Sequence, residues 1–389
     1  MQSVWKLKGM LFFFHAAMTI IISYLPVYFQ FLGLSGSEIG LLLAVGPAAA
    51  IIAQPFWGFM SDRWKTVKRI LLLCLTSAMA IGFILFQITD FILMLPVLYL
   101  FFSFMSPAGG LGDSLAQKIS IQRNVSFGSI RMWGSLGFGI ASLAGGYLLS
   151  YIGIVNIYYV YAGFLAVAIV FTWFAPDSEP SKKPVQLLHA VKLLKNKQLL
   201  IFFILILSIS LTHRMNDSFM GLYIVELGGD ESIIGMAWFI GVVTEALVFA
   251  FSVYLFSRFH PLTYITIAAA LYVLRWFLMS LAPDPTFLLY VQVLHGLAFA
   301  TFYLTAFQFV TKLVPEELES TGHLLFIAVF FGVSGVIGSI LGGSIISTFD
   351  IKNLYYLMSG LALIGFVSSM TYRFFYLKRM ASLKTKVES

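Results

Sequence analysis

The sequence predicts an all-α membrane protein in which twelve transmembrane helices form two pseudo-symmetric halves of six. Three observations predict it. Apolar residues make up 60% of the 389 positions and charged residues only 11%, far from the balance of a soluble domain. Apolar runs of about 20 residues, each long enough to cross hydrocarbon, recur along the chain. A glycine pattern also repeats: Gly134, Gly137 and Gly145-Gly146 return as Gly332, Gly335 and Gly342-Gly343, at offsets of 198, 198 and 197. A shared offset points to internal duplication, whereas the glycines by themselves signal only close helix packing.

In chain order the runs fall near 8–32, 38–60, 69–89, 91–121, 127–149, 153–175, 198–224, 232–257, 261–281, 286–312, 320–347 and 353–377. The first lacks a small-residue cleavage site and is too long for a signal peptide, so it is span 1. Spans 2 and 3 meet at Ser61-Asp62-Arg63, echoed by Ser257-Arg258 between spans 8 and 9. Spans 4 and 5 flank the short break Gln122-Arg123-Asn124-Val125. The longest polar interval follows span 6 and divides the chain into residues 1–175, a linker 176–197 and residues 198–389. Within the linker, Leu187, Leu188, Val191 and Leu194 recur at helical spacing among basic residues. That pattern fits a short helix on an anionic membrane face or a plain solvated linker.

Charge orients the spans. Of 24 Lys and Arg, only Arg131, Arg214 and Arg275 lie deep inside spans; 20 lie at or beyond the span ends on the side bearing the termini, and Lys352 alone lies opposite. The opposite loops carry Asp90, Glu226, Asp230, Glu231 and Asp284 instead. The positive-inside rule then places both termini in the cytoplasm and the protein in the cell inner (cytoplasmic) membrane. The net charge of +7 is a topology signal, and no nucleic-acid partner is needed to explain it. Cys74 is the single cysteine, which excludes an internal disulfide and a cysteine-rich metal site. The chain carries no ATP-binding loop and calls for no cofactor, and a monomer would suffice. A membrane enzyme would need a clustered catalytic set at the interface; the ionisable residues are instead scattered along the spans.

Those intramembrane charges carry the functional signal. Asp113 and Arg131 are 18 residues apart, on either side of the span 4–5 break. At ~1.5 Å per residue both lie roughly 9–14 Å from one membrane face, on neighbouring antiparallel helices. Each costs ~2.5–3.5 kcal/mol to insert, so such residues pair, face a bundle interior and mark a substrate or ion path. Glu245 in span 8 and Arg275 in span 9 lie at similar depths and are expected to form a second pair, which could bind substrate or a proton, or lock two helices together. In span 7, Arg214 and Asp217 are spaced for an intrahelical pair, and their polar neighbourhood could line the mouth of a cavity. His15, with Tyr24, Tyr28 and Gln30 beyond it, is a candidate lining from span 1, and His295 sits midway along span 10.

The turn Gly58-Phe59-Met60-Ser61-Asp62-Arg63, with Lys65, Lys68 and Arg69 following, resembles the cytoplasmic signature of the major facilitator superfamily, without its second glycine. Gly58 would allow close helix approach, and Asp62 would hold a gate closed by meeting a neighbouring helix N-terminus, with Arg63 beside it in the gating signature. Gln54-Pro55 before this turn, Tyr24-Leu25-Pro26 and Phe127-Gly128-Ser129-Ile130-Arg131-Met132-Trp133-Gly134 resemble the lactose permease-like branch of that superfamily. The resemblance implies the major facilitator fold and a proton symporter working by alternating access. It places substrate binding on Asp113, Arg131, Phe138 and Glu245, with Phe138 where the branch has tryptophan. It places coupling on Arg275 and His295; Glu245, Asp113 and Asp217 are the other acids that could take the proton. The branch's coupling carboxylate, three residues after the histidine, is Ala298 here. The expected cargo is a small polar solute (sugar, nucleoside-like or aromatic acid) imported with a proton. The alternatives are an exporter of amphipathic compounds and an uncoupled facilitator of the same fold.

Overall fold

In hydrocarbon the backbone cannot hydrogen-bond to water, so a chain this apolar must satisfy its amides internally, and helices do so segment by segment. The computed structural model describes residues 4–178, 193 and 195–388. Among these described residues are twelve helices able to span a membrane: α1 (Val4–Phe31), α2 (Gly36–Arg63), α3 (Val67–Leu85), α4 (Phe91–Arg123), α5 (Phe127–Ile152), α6 (Ile154–Phe174), α7 (Lys197–Glu226), α8 (Glu231–Ala250), α9 (Pro261–Ser280), α10 (Pro285–Leu313), α11 (Thr321–Thr348) and α12 (Ile351–Met380). Each predicted span coincides with one of them. Span 8 is shorter than expected: α8 ends at Ala250, and Ser252–Leu255 forms a separate turn because Phe251 leaves helical geometry. The helix proposed for the linker falls largely on residues 179–192 and 194, outside the described residues.

Helix starts are set by local chemistry. Asp90, Asp230 and Asp284 cap α4, α8 and α10, each side chain accepting from the backbone N–H three residues on. The acids read from sequence as a charge bias are therefore also N-caps, where a carboxylate meets both an unpaired amide and the positive helix end. Ser35 and Glu38 form a reciprocal capping box on α2. Two helices are irregular. α10 breaks at Gln292, between Pro285–Val291 and Val293–Leu313. α11 contains a π-helical stretch, Ala328–Val333.

Within the first six helices α1 packs on α5 and α6, and α4 on α2 and α3; within the second six α9 packs on α10 and α12, and α7 on α11 and α12. The halves meet through α2 with α11, α5 with α8, and α1 with α7. Those contacts concentrate at the far end, opposite the termini. A Cβ on Gly40 would overlap the Ser339 carbonyl oxygen and come within 2.9 Å of the Gly343 Cα. A Cβ on Gly235 would likewise overlap the Ser142 carbonyl oxygen, and one on Gly146 would come within 3.2 Å of the Gly235 Cα. Ser142 and Ser339 are 197 apart, so the duplication seen in the glycine spacing reappears as two equivalent backbone seams. Hydrogen bonds Ser37 N–H to Ser347 Oγ (2.6 Å) and Ser150 Oγ–H to Asp230 Oδ2 (2.8 Å) finish the closure. Towards the near end, which bears the termini, Cβ atoms on Gly58 and Gly110 would meet nothing within 4 Å.

Candidate functional site

α4 and α5 run antiparallel from a tight turn in which Asn124 adopts left-handed geometry (φ 52°). That turn sets Asp113 and Arg131 at matching depth, and Arg131 Nε lies 2.9 Å from Asp113 Oδ1. The side chains remain 34% and 36% exposed although they sit deep in their spans, so they face a gap between the halves. His15 reaches the same region: its Nδ1 lies 2.8 Å from the Leu11 carbonyl, and it and Arg131 would both crowd a Cβ placed on Gly134. Tyr24 and Tyr28 do not line the gap. Tyr24 is buried and donates to the Ser142 carbonyl, and Tyr28 donates to that of Phe86 (3.3 Å).

Across the gap, α8 presents Glu245, a quarter exposed, within electrostatic range of Arg131 and Asp217. Its expected ion pair with Arg275 is not formed. His295 Nε2 lies 4.0 Å from Glu245 Oε2. Arg275 is fully buried, donates from Nη2 to Gln292 Oε1 at 2.6 Å, and stacks its guanidinium 4.3 Å from the Trp276 ring centroid. The two side chains take different directions around their helix axes, which hydropathy does not encode. Gln292 went unnoticed in the sequence because a neutral amide leaves no charge signal. It anchors the break in α10, its Nε2 donating to the Ala237 carbonyl at 3.2 Å.

Phe138 stands two turns beyond Arg131 on α5, and Trp238 two turns before Glu245 on α8. The two rings meet edge to face across the halves, centroids 5.8 Å apart. The gap thus has a charged tier (Asp113, Arg131, Glu245) and, ~10 Å farther on at ~1.5 Å per residue, an aromatic tier. Trp238 was not among the sequence candidates.

Behind Glu245 lies a polar cluster inside the second half. Arg214 Nη1 donates to Asp217 Oδ2 at 2.6 Å, and His213 Nε2 lies 3.5 Å from the same oxygen. Asp217 is therefore a buried member of this cluster, paired within α7 as its spacing suggested. His213 Nδ1 meets the Tyr272 hydroxyl at 3.0 Å, and Tyr355 donates to Asn216 Oδ1 at 3.2 Å. Among the described residues no group of three or more His, Cys, Asp or Glu is placed to hold a metal ion.

Near the termini, Gly58, Asp62 and Arg63 end α2. Gly58 opens onto a pocket of about 210 Å³ lined also by Gln54, Ser61, Asp62, Gly110, Ser114 and Lys118. The close helix approach expected at Gly58 is absent in this arrangement, since the halves part at this end. The α3 N-terminus is met by Thr66 and Asp177 rather than by Asp62: Thr66 Oγ1 donates to Asp177 Oδ2, and the Lys68 N–H to Asp177 Oδ1 at 3.0 Å. Asp62 and Arg63 are exposed.

Twelve spanning helices in two related halves, closed at one end around a charged and aromatic gap, define a membrane transporter of the major facilitator type. The chain belongs to the family described as "MFS_1 like family", whose model matches residues 4–357. It is 28% identical over 334 residues to the Bacillus subtilis protein named "Uncharacterized transporter YwbF", covering 86% of this chain and 84% of that one. It is 28% identical over 366 residues to the maltose permease of Geobacillus stearothermophilus (94% and 92% covered). The nucleoside permease NupG of Escherichia coli is 24% identical over 361 residues (85% and 84% covered). The crystal structure of the nucleoside transporter NupG superposes with a TM-score of 0.86 at 21% identity, over 95% of this chain and 99% of that one, a likeness of fold.

Proposed function

We propose that this transporter imports a small polar solute together with a proton by alternating access. The observation that carries the reading is the Asp113–Arg131 pair facing Glu245 across the gap. Charges at that depth are costly, and these three leave part of their polar surface open where a solute would sit. The two tiers suit an amphipathic solute with hydroxyl groups at one end and a flat apolar face at the other, such as a sugar or a nucleoside. An aromatic acid would meet the same groups through Arg131. The printed names of relatives, maltose permease and nucleoside permease, are consistent with that range. His15 and Phe138 complete the binding set on the first half.

Residues 1–175 and 198–389 act as two bodies joined by the linker 176–197, and rocking between them alternates the open end. The Lys and Arg bias places the near end and both termini in the cytoplasm of the inner membrane. Gly58, Asp62 and Arg63 then meet the opposite half when that end closes. Glu245, His295, Asp217 and Arg275 form the coupling group, Arg275 acting from behind as a fixed positive charge.

External pH is followed in lightly buffered vesicles on adding maltose, uridine or 3-phenylpropionate. Alkalinisation with one of them, abolished by Glu245→Gln or Arg131→Ala, supports symport. Uptake of labelled solute without a pH change supports the second reading, an uncoupled facilitator, which Ala298 in place of the branch's carboxylate favours. Absence of any uptake that depends on Arg131 would sink the binding assignment.

A further inference from the structure

We propose that His213 carries the coupled proton through the membrane, in place of the carboxylate whose position is taken by Ala298; the inference rests on the symport reading above. His213 is buried on α7 and held from three sides. Its Nε2 points at Asp217, an acceptor-only carboxylate, so in the neutral ring Nε2 bears the hydrogen and Nδ1 the lone pair. Nδ1 faces the Tyr272 hydroxyl at 3.0 Å. A phenol can donate to a bare Nδ1 or accept from a protonated one, so gaining a proton requires only that one hydroxyl hydrogen turn. The ring lies parallel to Phe299, centroids 4.5 Å apart and planes 11° apart, a face that also suits an imidazolium.

The charged and titratable groups around it are Arg214 and Asp217 on α7, Tyr272 and Arg275 on α9, and His295 on α10. Glu245 on α8 stands behind His295, and Tyr355 on α12 reaches the cluster through Asn216. From Asp217 through His213 and His295 to Glu245, the side chains run from 9%, 4% and 7% exposure to 25%. The string is sealed on the Asp217 side and open to the gap at Glu245. When the gap opens to the far side, a proton from its water enters past Glu245 and His295, adds to Nδ1 of the neutral ring and gives an imidazolium. On the near side it leaves through His295 to the Glu245 carboxylate and then to water, so one proton crosses and the ring returns neutral. His295 Nδ1 is buried without a partner, leaving it free to take part. His213 also touches the moving frame. Phe330, in the π-helical stretch of α11, lies 5.5 Å from it, and Ser210, one turn before it on α7, bonds Ser334 at 2.6 Å. α11 is the helix whose Gly343 seals the far end.

The test has two arms on the full chain. In nanodiscs holding ¹⁵N-histidine-labelled protein, the resonance missing from His213→Gln is followed between about pH 5 and 9. The inference expects it to titrate, with a midpoint that moves in Tyr272→Phe, a variant that keeps ring and volume. A His213 signal fixed in one protonation state across that range overturns it. In vesicles, an inward gradient of about one pH unit drives about tenfold accumulation of a 1:1 co-transported probe, taken as whichever of labelled maltose and uridine the wild type accumulates. His213→Gln is expected to drop accumulation to the level outside while exchange of preloaded probe continues. Accumulation that survives His213→Gln but not His295→Gln overturns the assignment and leaves symport standing. A wild type that equilibrates the probe regardless of pH overturns symport and this inference together.

Discussion

Gly343 of α11 lies backbone to backbone against Gly40 of α2, and the far end of the transporter is closed there because neither residue has a side chain. A Cβ on either would run into the other helix, so a larger residue must hold the seam apart. Overpacking of this kind costs ~1–3 kcal/mol, enough to shift a balanced equilibrium roughly fivefold or more. Gly40→Leu and, independently, Gly235→Leu should populate a form open at the far end. A cysteine at Phe138 in a Cys74→Ala background should then react at least several times faster with an impermeant maleimide. Unchanged labelling in both variants would show that the seams do not govern closure.

The Asp113–Arg131 pair separates binding from scaffolding. Arg131→Ala leaves a carboxylate without its cation in the middle of a span. Loss of a charge-assisted contact to solute should weaken uptake by ~1.5–3 kcal/mol, or about tenfold to a hundredfold. The exchange variant Asp113→Arg with Arg131→Asp keeps an ion pair. It should fold and insert normally yet stay defective in uptake. Restored uptake in the exchanged pair would make the bridge structural.

Asp230 links closure to pH. Partial burial disfavours its charged form, but hydrogen bonds from the Ser232 and Ser150 hydroxyls and from the Ile233 and Ser232 amides outweigh that and hold its carboxyl below the usual range. A depressed value means that the charged group's contribution is complete above the ordinary carboxylate range and is lost as pH falls through the lowered value. Closure at the far end should therefore be indifferent to pH near neutrality and weaken only in clearly acidic medium. Asp230→Asn should abolish that acid dependence while keeping a capping side chain. Maleimide labelling of the same Phe138 cysteine across a pH series reads both results.

Gln292 is a structural anchor. Removing it leaves the buried Arg275 guanidinium with none of its observed hydrogen bonds, since Nε and Nη1 already lack partners. Gln292→Leu should lower stability by ~1.5–3 kcal/mol, seen as a reduced thermal midpoint of the detergent-solubilised protein. Gln292→Glu, which restores an acceptor, should recover most of it. A midpoint unchanged by leucine would mean Arg275 is satisfied by another route.

Much of the fold is legible in the sequence. Twelve spans could be read because hydrocarbon penalises every unpaired backbone group, and the Asp113–Arg131 pair because two charges flank a short break at one depth. The mispairing of Glu245 with Arg275 shows where such reading stops: depth is a single coordinate, and which way a side chain points around its helix depends on packing. Gln292, His213 and Trp238 carried no insertion penalty large enough to stand out. The glycine repeat was visible in α5 and α11, but their partners Gly40 and Gly235 were not, because a seam is a property of two helices and the repeat was read along one.

The paired seams have a consequence for symmetry. In an isologous interface the same patch serves both partners, so that each residue meets its mate twice. Ser142 on Gly235 and Ser339 on Gly40 meet that description within one polypeptide. The far-end closure therefore has the geometry of a two-fold dimer contact, made within a single chain by its own two halves.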